Sequence, residues 1–238
     1  MSSARRVLGI LVAIPAIGLA IASAAAWAGA LDWRLDLVAN ARVQLWWAAG
    51  ALLLGAMLTR YRWAISAASI AVVLNLAPIL PLYLGTTVEA DEPIRVLSFN
   101  LLSNNERYDD VVAYIEETAA DVVFLHEGTL LWEEALAERG LAYEIVSGRD
   151  DDLIFGTIAL VPAGTPVTNL GFASSQGRGL ALEIDGVEVL GVHPLAPVDE
   201  RSASLLRSQH ATYASWASTR GPAVVVGDFN TTPWTSTF

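Results

Sequence analysis

Residues 7–30, VLGILVAIPAIGLAIASAAAWAGA, run for 24 positions without a charge. About 20 such residues cross the hydrocarbon core of a bilayer as a helix. Two more apolar stretches follow. Residues 43–59, VQLWWAAGALLLGAMLT, are at the short end of a span and carry Trp46 and Trp47 near their start, as interfacial aromatics do. Residues 63–84, WAISAASIAVVLNLAPILPLYL, are again long enough, with Pro78 and Pro81 near the end, where a kink is tolerated. Almost no polar face remains to meet water, which argues against a soluble bundle. Residues 1–88 therefore read as a membrane unit of about three transmembrane helices. The first stretch also has marks of a cleaved signal peptide: Arg5 and Arg6 before it, and Ala28-Gly29-Ala30 at its end. Its apolar run exceeds the roughly 7–15 residues of a signal-peptide core, which favours a retained helix.

Charge divides the chain at the same place. Residues 1–88 hold six arginines and two acids, Asp32 and Asp36, whereas residues 89–238 hold eight arginines and 23 acids, a net charge of −15. A weakly basic apolar part joined to an acidic polar part reads as a membrane unit followed by a water-exposed domain. Arg5 and Arg6 precede the first span, and Arg60 and Arg62 fill the turn between the second and third. Placing both on the cytoplasmic side puts residues 89–238 outside the cytoplasm. With no cysteine in the chain, disulfides, thiolate nucleophiles and zinc–thiolate sites are excluded. The acidic half argues against a broad basic nucleic-acid surface, though not against a small nuclease cleft neutralised by a metal.

The second part alternates strands and helices. Strands are expected at 94–99, 122–125, 142–146, 154–161, 179–184, 187–192 and 223–226, and helices at 108–119, 130–139 and 201–219. Asp185-Gly186 is a strong hairpin signal. Hairpins mixed with strand–helix–strand units predict sheets with helices outside them. Polar residues recur just past the ends of apolar strands: Asn100, Glu127, His193, and Asp228 with Asn230. Strand ends brought together are where sites form on such scaffolds.

Asn100, Glu127, Asp228 and Asn230 offer hard oxygen donors of the kind Mg²⁺ (or Mn²⁺) takes, together with water and substrate phosphate. A carboxylate beside a metal-bound phosphate can orient or deprotonate water, a carboxamide can donate to a phosphoryl oxygen, and a histidine can serve the leaving oxygen. Together they specify metal-assisted hydrolysis of a phosphate ester. Each residue also has a plainer reading. Asn100 and Asp228 suit turns. Glu127 suits the positive end of the helix after it. His193 suits a loop. His126, alternating with Leu125, is expected to face away from the site, and His210, mid-helix, to lie on the surface. No P-loop, dinucleotide fingerprint or serine-nucleophile elbow is present.

The stretches LSFNLLSNN, DVVFLHE, GVHPLAPV and VVVGDFNTTPW, in this order over residues 94–238, resemble the successive motifs of the endonuclease/exonuclease/phosphatase superfamily, and in particular a membrane-attached bacterial branch of it. The resemblance implies a four-layer α/β sandwich over residues 89–238 and divalent-metal phosphoester hydrolysis. It places Asn100 and Glu127 at the metal. His193 would contact phosphate or help the leaving group, Asp228 would orient or activate the attacking water, and Asn230 would stabilise the phosphorane-like transition state. His126 stands where the family usually has Gln. The implied partners are a lipid bilayer and a phosphoester substrate, whether a lipid headgroup, a small phosphodiester or a nucleic acid; no protein partner is evident. The family pattern runs on past the Gly-Asp-Phe-Asn motif to a second Asp-His pair, whereas the sequence stops at Phe238. The expectation is thus a domain missing its C-terminal part. The alternative function is a catalytically inactive fragment, or a non-catalytic extracytoplasmic module that binds phosphate or metal.

Overall fold

A computed structural model describes residues 3–85, 93–148, 156–172 and 178–238. The chain divides into two compact units, Met1–Glu89 with Thr231–Phe238, and Ala90–Asn230.

The first unit is helical: α1 (Ser3–Ala25), α2 (Trp33–Asn40), α3 (Arg42–Thr59) and α4 (Arg62–Ile79). Its packing inverts that of a water-soluble bundle. The buried positions are small, with Ala13 and Ala16 on α1, Ala49 and Ala56 on α3, and Ala64, Ala68 and Ala71 on α4. Small side chains let helix backbones approach closely, the mode of association available where burial of large apolar groups gives no gain. The large residues point outward instead: Ile14 and Ile21 are each 65% exposed and Leu54 67%. Ser3–Ala28 and Arg62–Tyr83 are long and apolar enough to cross a membrane; α2 and α3, bent by 63° to each other, make a third span if the pair counts as one. Arg42, at the start of α3, is 2% exposed. Its guanidinium donates to the carbonyls of Leu74 and Ala26 and lies 4.9 Å from the Trp27 ring centre.

Residues 231–238 belong to this unit because α2 holds them. Asp36 accepts from Ser236 N (2.9 Å), Ser236 Oγ (2.6 Å) and Thr237 Oγ1 (3.0 Å). One turn along α2, Asn40 Oδ1 accepts from Thr232 N (3.1 Å) and Thr232 Oγ1 (3.0 Å).

The second unit contains two four-stranded sheets. One has the order β1 (Val96–Asn100), β2 (Val122–Gly128), β4 (Gly156–Pro162), β3 (Tyr143–Gly148); the other runs β5 (Val167–Asn169), β6 (Gly179–Ile184), β7 (Val187–Val192), β8 (Ala223–Gly227). β1–β2 and β7–β8 pair in parallel, and the remaining pairs are antiparallel. Alternation along the strands sets the layers. Val123 and Leu125 face α5 (Tyr108–Thr118) and α6 (Leu130–Glu138) through Val111, Ile115, Trp132 and Leu136. Val122 and Phe124 face the second sheet through Leu180, Leu182 and Val189. On that sheet's far side Ala181, Leu190 and Val192 meet Tyr213 and Trp216 of α7 (Glu200–Ser218). Helix layer, sheet, sheet and helix layer make the expected four-layer α/β sandwich.

Local sequence explains the boundaries. Thr129 caps α6 by accepting from Trp132 N, and Asp199 with Ser202 forms a capping box on α7. The β6–β7 turn has positive φ at both Asp185 and Gly186 (50° and 77°), as a two-residue hairpin of this hand requires. Two expectations need correction. The three-residue β5 gave no periodic signal and was not anticipated. β2 extends beyond Leu125 to Gly128, so Glu127 lies within the strand rather than past it. Residues 154 and 155 of the expected strand 154–161 fall outside the described residues.

Candidate active site

Parallel pairing turns two strand ends toward one place. β1 and β8 are edge strands of their respective sheets. Asn100 is the last residue of β1, and Asp228 directly follows β8. One amide joins them to β2: Asn100 Nδ2 donates to Glu127 Oε1 and to Asp228 Oδ2, both at 3.0 Å. The other sides of these groups are tied to backbone. Leu102 N donates to Asn100 Oδ1 (2.9 Å), Ser103 N to Glu127 Oε2 (3.0 Å) and Asn230 N to Asp228 Oδ1 (2.9 Å). The turn readings of Asn100 and Asp228 are thus correct for one oxygen each, leaving the second polar atom for the cluster. The N-cap of α6 itself is Thr129, and both Glu127 oxygens are taken by Asn100 Nδ2 and Ser103 N.

The backbone around these residues is unusual. Glu127 has φ 57° within a bulge between His126 and Gly128, and Asn230 has φ 52°. Non-glycine residues in this region carry strain and cluster at functional sites. Gly227 has φ 151°, and a Cβ there would clash with the Val192 carbonyl oxygen, so only glycine lets β8 pass the end of β7 on its way to Asp228.

His193 follows β7, is 4% exposed, and has Nε2 3.8 Å from Glu127 Oε1. Burial holds its imidazole below the usual histidine value, against the opposing pull of Asp228 and Glu127, with Arg178 adding to the fall. His126 does not face away from the site. It alternates with Leu125 as expected, but this puts it on the face of Val122 and Phe124 toward the second sheet, where its ring packs 5.8 Å from that of His193; the bulge that follows turns Glu127 to the same side. His126 is completely buried, with Ser98 Oγ 3.1 Å from Nε2 and Thr157 Oγ1 3.4 Å from Nδ1. Burial, then the nearby His193, push it down to about 4.

Asn230 donates its side-chain amide to the Pro194 carbonyl at 2.8 Å, joining its own turn to the His193 loop. All five expected residues, Asn100, Glu127, His193, Asp228 and Asn230, therefore belong to one connected cluster. His210 is not on the surface. It is 8% exposed, and Nε2 lies 3.2 Å from the Phe229 carbonyl. The signal was present, since position 210 continues the stripe Ala203, Leu206, Tyr213 at helical spacing.

The donor set suits a divalent cation. Two carboxylates converge on one neutral amide, and the histidine beside them is held toward its neutral form. Like charges gathered this way are stabilised by a cation, and the available oxygens are hard ones. Among the described residues no group of three or more His, Cys, Asp or Glu side chains forms a protein-only metal cage. Two carboxylates and an amide suit an ion that keeps several waters, as Mg²⁺ does. The residues fit the ion.

A model described as the Endonuclease/Exonuclease/phosphatase family matches residues 97–238. No curated protein matches. Similar solved structures include D. rerio TDP2 complexed with a single-strand DNA product (17% identity, 58% of this chain and 61% of that one, TM-score 0.47). They also include the 3′ phosphatase NExo from Neisseria bound to a product DNA hairpin (18% identity, 58% of each chain, TM-score 0.45). A third is the human Nocturnin catalytic domain with a bound sulfate anion (17% identity, 61% of this chain and 66% of that one, TM-score 0.45). The chain spans less than two thirds of the length of these structures.

Proposed function

Because the chain belongs to the endonuclease/exonuclease/phosphatase family, we propose that it is a membrane-anchored, divalent-metal-dependent phosphoester hydrolase of phosphodiesterase or nuclease type. Its catalytic unit lies outside the cytoplasm. The observation that carries the reading is the convergence of Glu127 and Asp228 on the single Asn100 amide, with His193 alongside.

In this reading Asn100 and Glu127 hold Mg²⁺ or Mn²⁺. When bound, the ion neutralises the carboxylates and polarises a phosphoryl oxygen. Asp228 orients or deprotonates the attacking water; its carboxylate is fixed for this by the Asn230 backbone and the Asn100 amide. Asn230 has two amide hydrogens. One is held by Pro194, and the other is available to the phosphoryl oxygens as charge builds on them. His193, held toward its neutral form, contacts phosphate by donating a ring N–H; any proton passed to the leaving oxygen would have to come from its imidazolium form.

The outward Ile and Leu residues of α1 and α3 support anchoring in a bilayer, and the arginine pattern supports an external catalytic unit. A net charge of −15 over residues 89–238 disfavours long polyanions without excluding them. A phosphodiester in a lipid headgroup or small molecule is the leading substrate, with nucleic acid next.

The test uses the full chain in detergent. Hydrolysis of phospholipid, a chromogenic phosphodiester, plasmid DNA and RNA is compared with Mg²⁺, with Mn²⁺ and with chelator, for wild type and Glu127→Gln. Mn²⁺ binding is followed by calorimetry. Metal-dependent turnover of at least one substrate is expected, with loss of both turnover and Mn²⁺ binding in the variant. Full activity in Glu127→Gln would refute the site.

A further inference from the structure

α7 buries two neighbouring polar side chains that the proposed chemistry does not use. Gln209 and His210 are each 8% exposed. They reach different loops. Gln209 Oε1 accepts from Leu195 N at 3.1 Å, two residues beyond His193. His210 Nε2 lies 3.2 Å from the carbonyl of Phe229, the residue between Asp228 and Asn230. A carbonyl only accepts, so Nε2 carries the proton in this contact. The His210 ring also meets the Phe229 ring edge-on, 5.6 Å between centres at 70°. The two loops are joined to each other by Asn230 Nδ2 on the Pro194 carbonyl. Helix to first loop, helix to second loop, and loop to loop form a closed triangle.

An apolar pair would fill the same space without desolvating an amide and an imidazole. Inward positions elsewhere on α7 do this with Ala203, Leu206 and Trp216. The polar pair occurs where the helix passes the two loops. One of those loops contains Asn230 at φ 52° and starts from Gly227 at φ 151°, a backbone that must be held by its surroundings.

We propose that Gln209 and His210 are positioning residues, and that α7 is the rigid bar fixing the spacing between the His193 loop and the Asp228–Asn230 turn. The inference rests on reading those residues as the reacting groups. Misplacing a reacting group by about 1 Å can cost ~100-fold in rate.

The experiment compares the full chain in detergent as wild type, His210→Phe and His210→Gln. Phe keeps the ring packing and removes the N–H; Gln returns an N–H at similar reach. Hydrogen exchange is read by mass spectrometry on the peptide covering residues 226–232. His210→Phe is expected to speed it at least about tenfold, with β2 and β7 peptides unchanged, and His210→Gln to return it to within about threefold of wild type. With a chromogenic phosphodiester and Mn²⁺, kcat should fall about 10- to 100-fold in His210→Phe, with KM within about twofold and most of the loss recovered by Gln. Unchanged exchange in that peptide overturns the proposal. So does a rise shared by β2 and β7 that Gln does not correct. A wild-type protein inert on every substrate removes the phosphoesterase reading instead, and the exchange comparison still decides whether α7 fixes the turn.

Discussion

The two units treat their acidic groups in opposite ways. In the first, Asp36 is buried and receives three hydrogen bonds, two from Ser236 and one from Thr237. Its charge is spread over donors that come from one segment and serve no other acid. In the second, Glu127 and Asp228 divide the two hydrogens of one amide, and among the described residues each takes one further backbone N–H. A carboxylate supplied with its own donors is a structural joint. Two carboxylates sharing a donor form a site that gains from a cation. Burial alone does not separate these cases, because Asp36 is the more buried; the number of donors per charge does.

The sharpest way to break this contrast is Asp228→Asn. Turnover should fall about a thousandfold, some 4 kcal/mol of barrier. Melting of the metal-free protein should not drop, because the change removes one of two like charges. A clear fall in metal-free melting would put Asp228 with Asp36 among the structural carboxylates.

The next effect concerns His126. Its folded pKa, about 4, lies below the ordinary 6.5, so the unfolded chain binds more protons between those values. Its contribution is therefore fully present above about pH 6.5 and is lost as pH falls toward 4, about 3 kcal/mol in all. Unfolding of the chelated protein, monitored by circular dichroism against pH, should show this loss in wild type and a flatter profile in His126→Gln. Identical profiles would mean that the buried ring is not what acid attacks.

A smaller change is expected for Asp36→Asn, which keeps one acceptor oxygen but gives up charge-assisted bonds. A loss of about 1–2 kcal/mol is expected, the same with and without Mn²⁺. Protection of residues 231–238 from protease in detergent, with and without the ion, measures it. A metal-dependent loss would erase the distinction between the two units.

Much of this was legible in the sequence. The three long helices of the first unit and most strands of the second follow from apolar length and alternation, and the Asp185-Gly186 hairpin from turn chemistry, whereas the short, charged α2 was not anticipated. Asn100, Glu127, His193, Asp228 and Asn230 could be nominated because each comes at or near the end of an apolar strand. That Asn100 shares its amide between two acids was not legible, since it depends on edge strands of two different sheets meeting. His126 was misplaced because an unbroken pleat would put it opposite Glu127, and the bulge at φ 57° turns Glu127 onto the face that His126 already shares with Phe124. His210 was misread for another reason: a polar residue on an apolar stripe was taken at face value as exposed, when the stripe itself pointed inward.

The bond from Asn100 to Asp228 closes a loop of 128 residues along the chain. During synthesis at ~5–20 residues per second, β1 and β2 therefore exist for several seconds before Asp228 is made. Glu127 and Asn100 can meet in that interval, yet no partial product shorter than Asp228 contains the paired acids. If the site hydrolyses phosphoesters as proposed, the nascent polypeptide is harmless to its surroundings until the strand that delivers Asp228 has emerged. Activity would then wait for the turn from Asp228 to Asn230 that follows β8 instead of growing gradually with length.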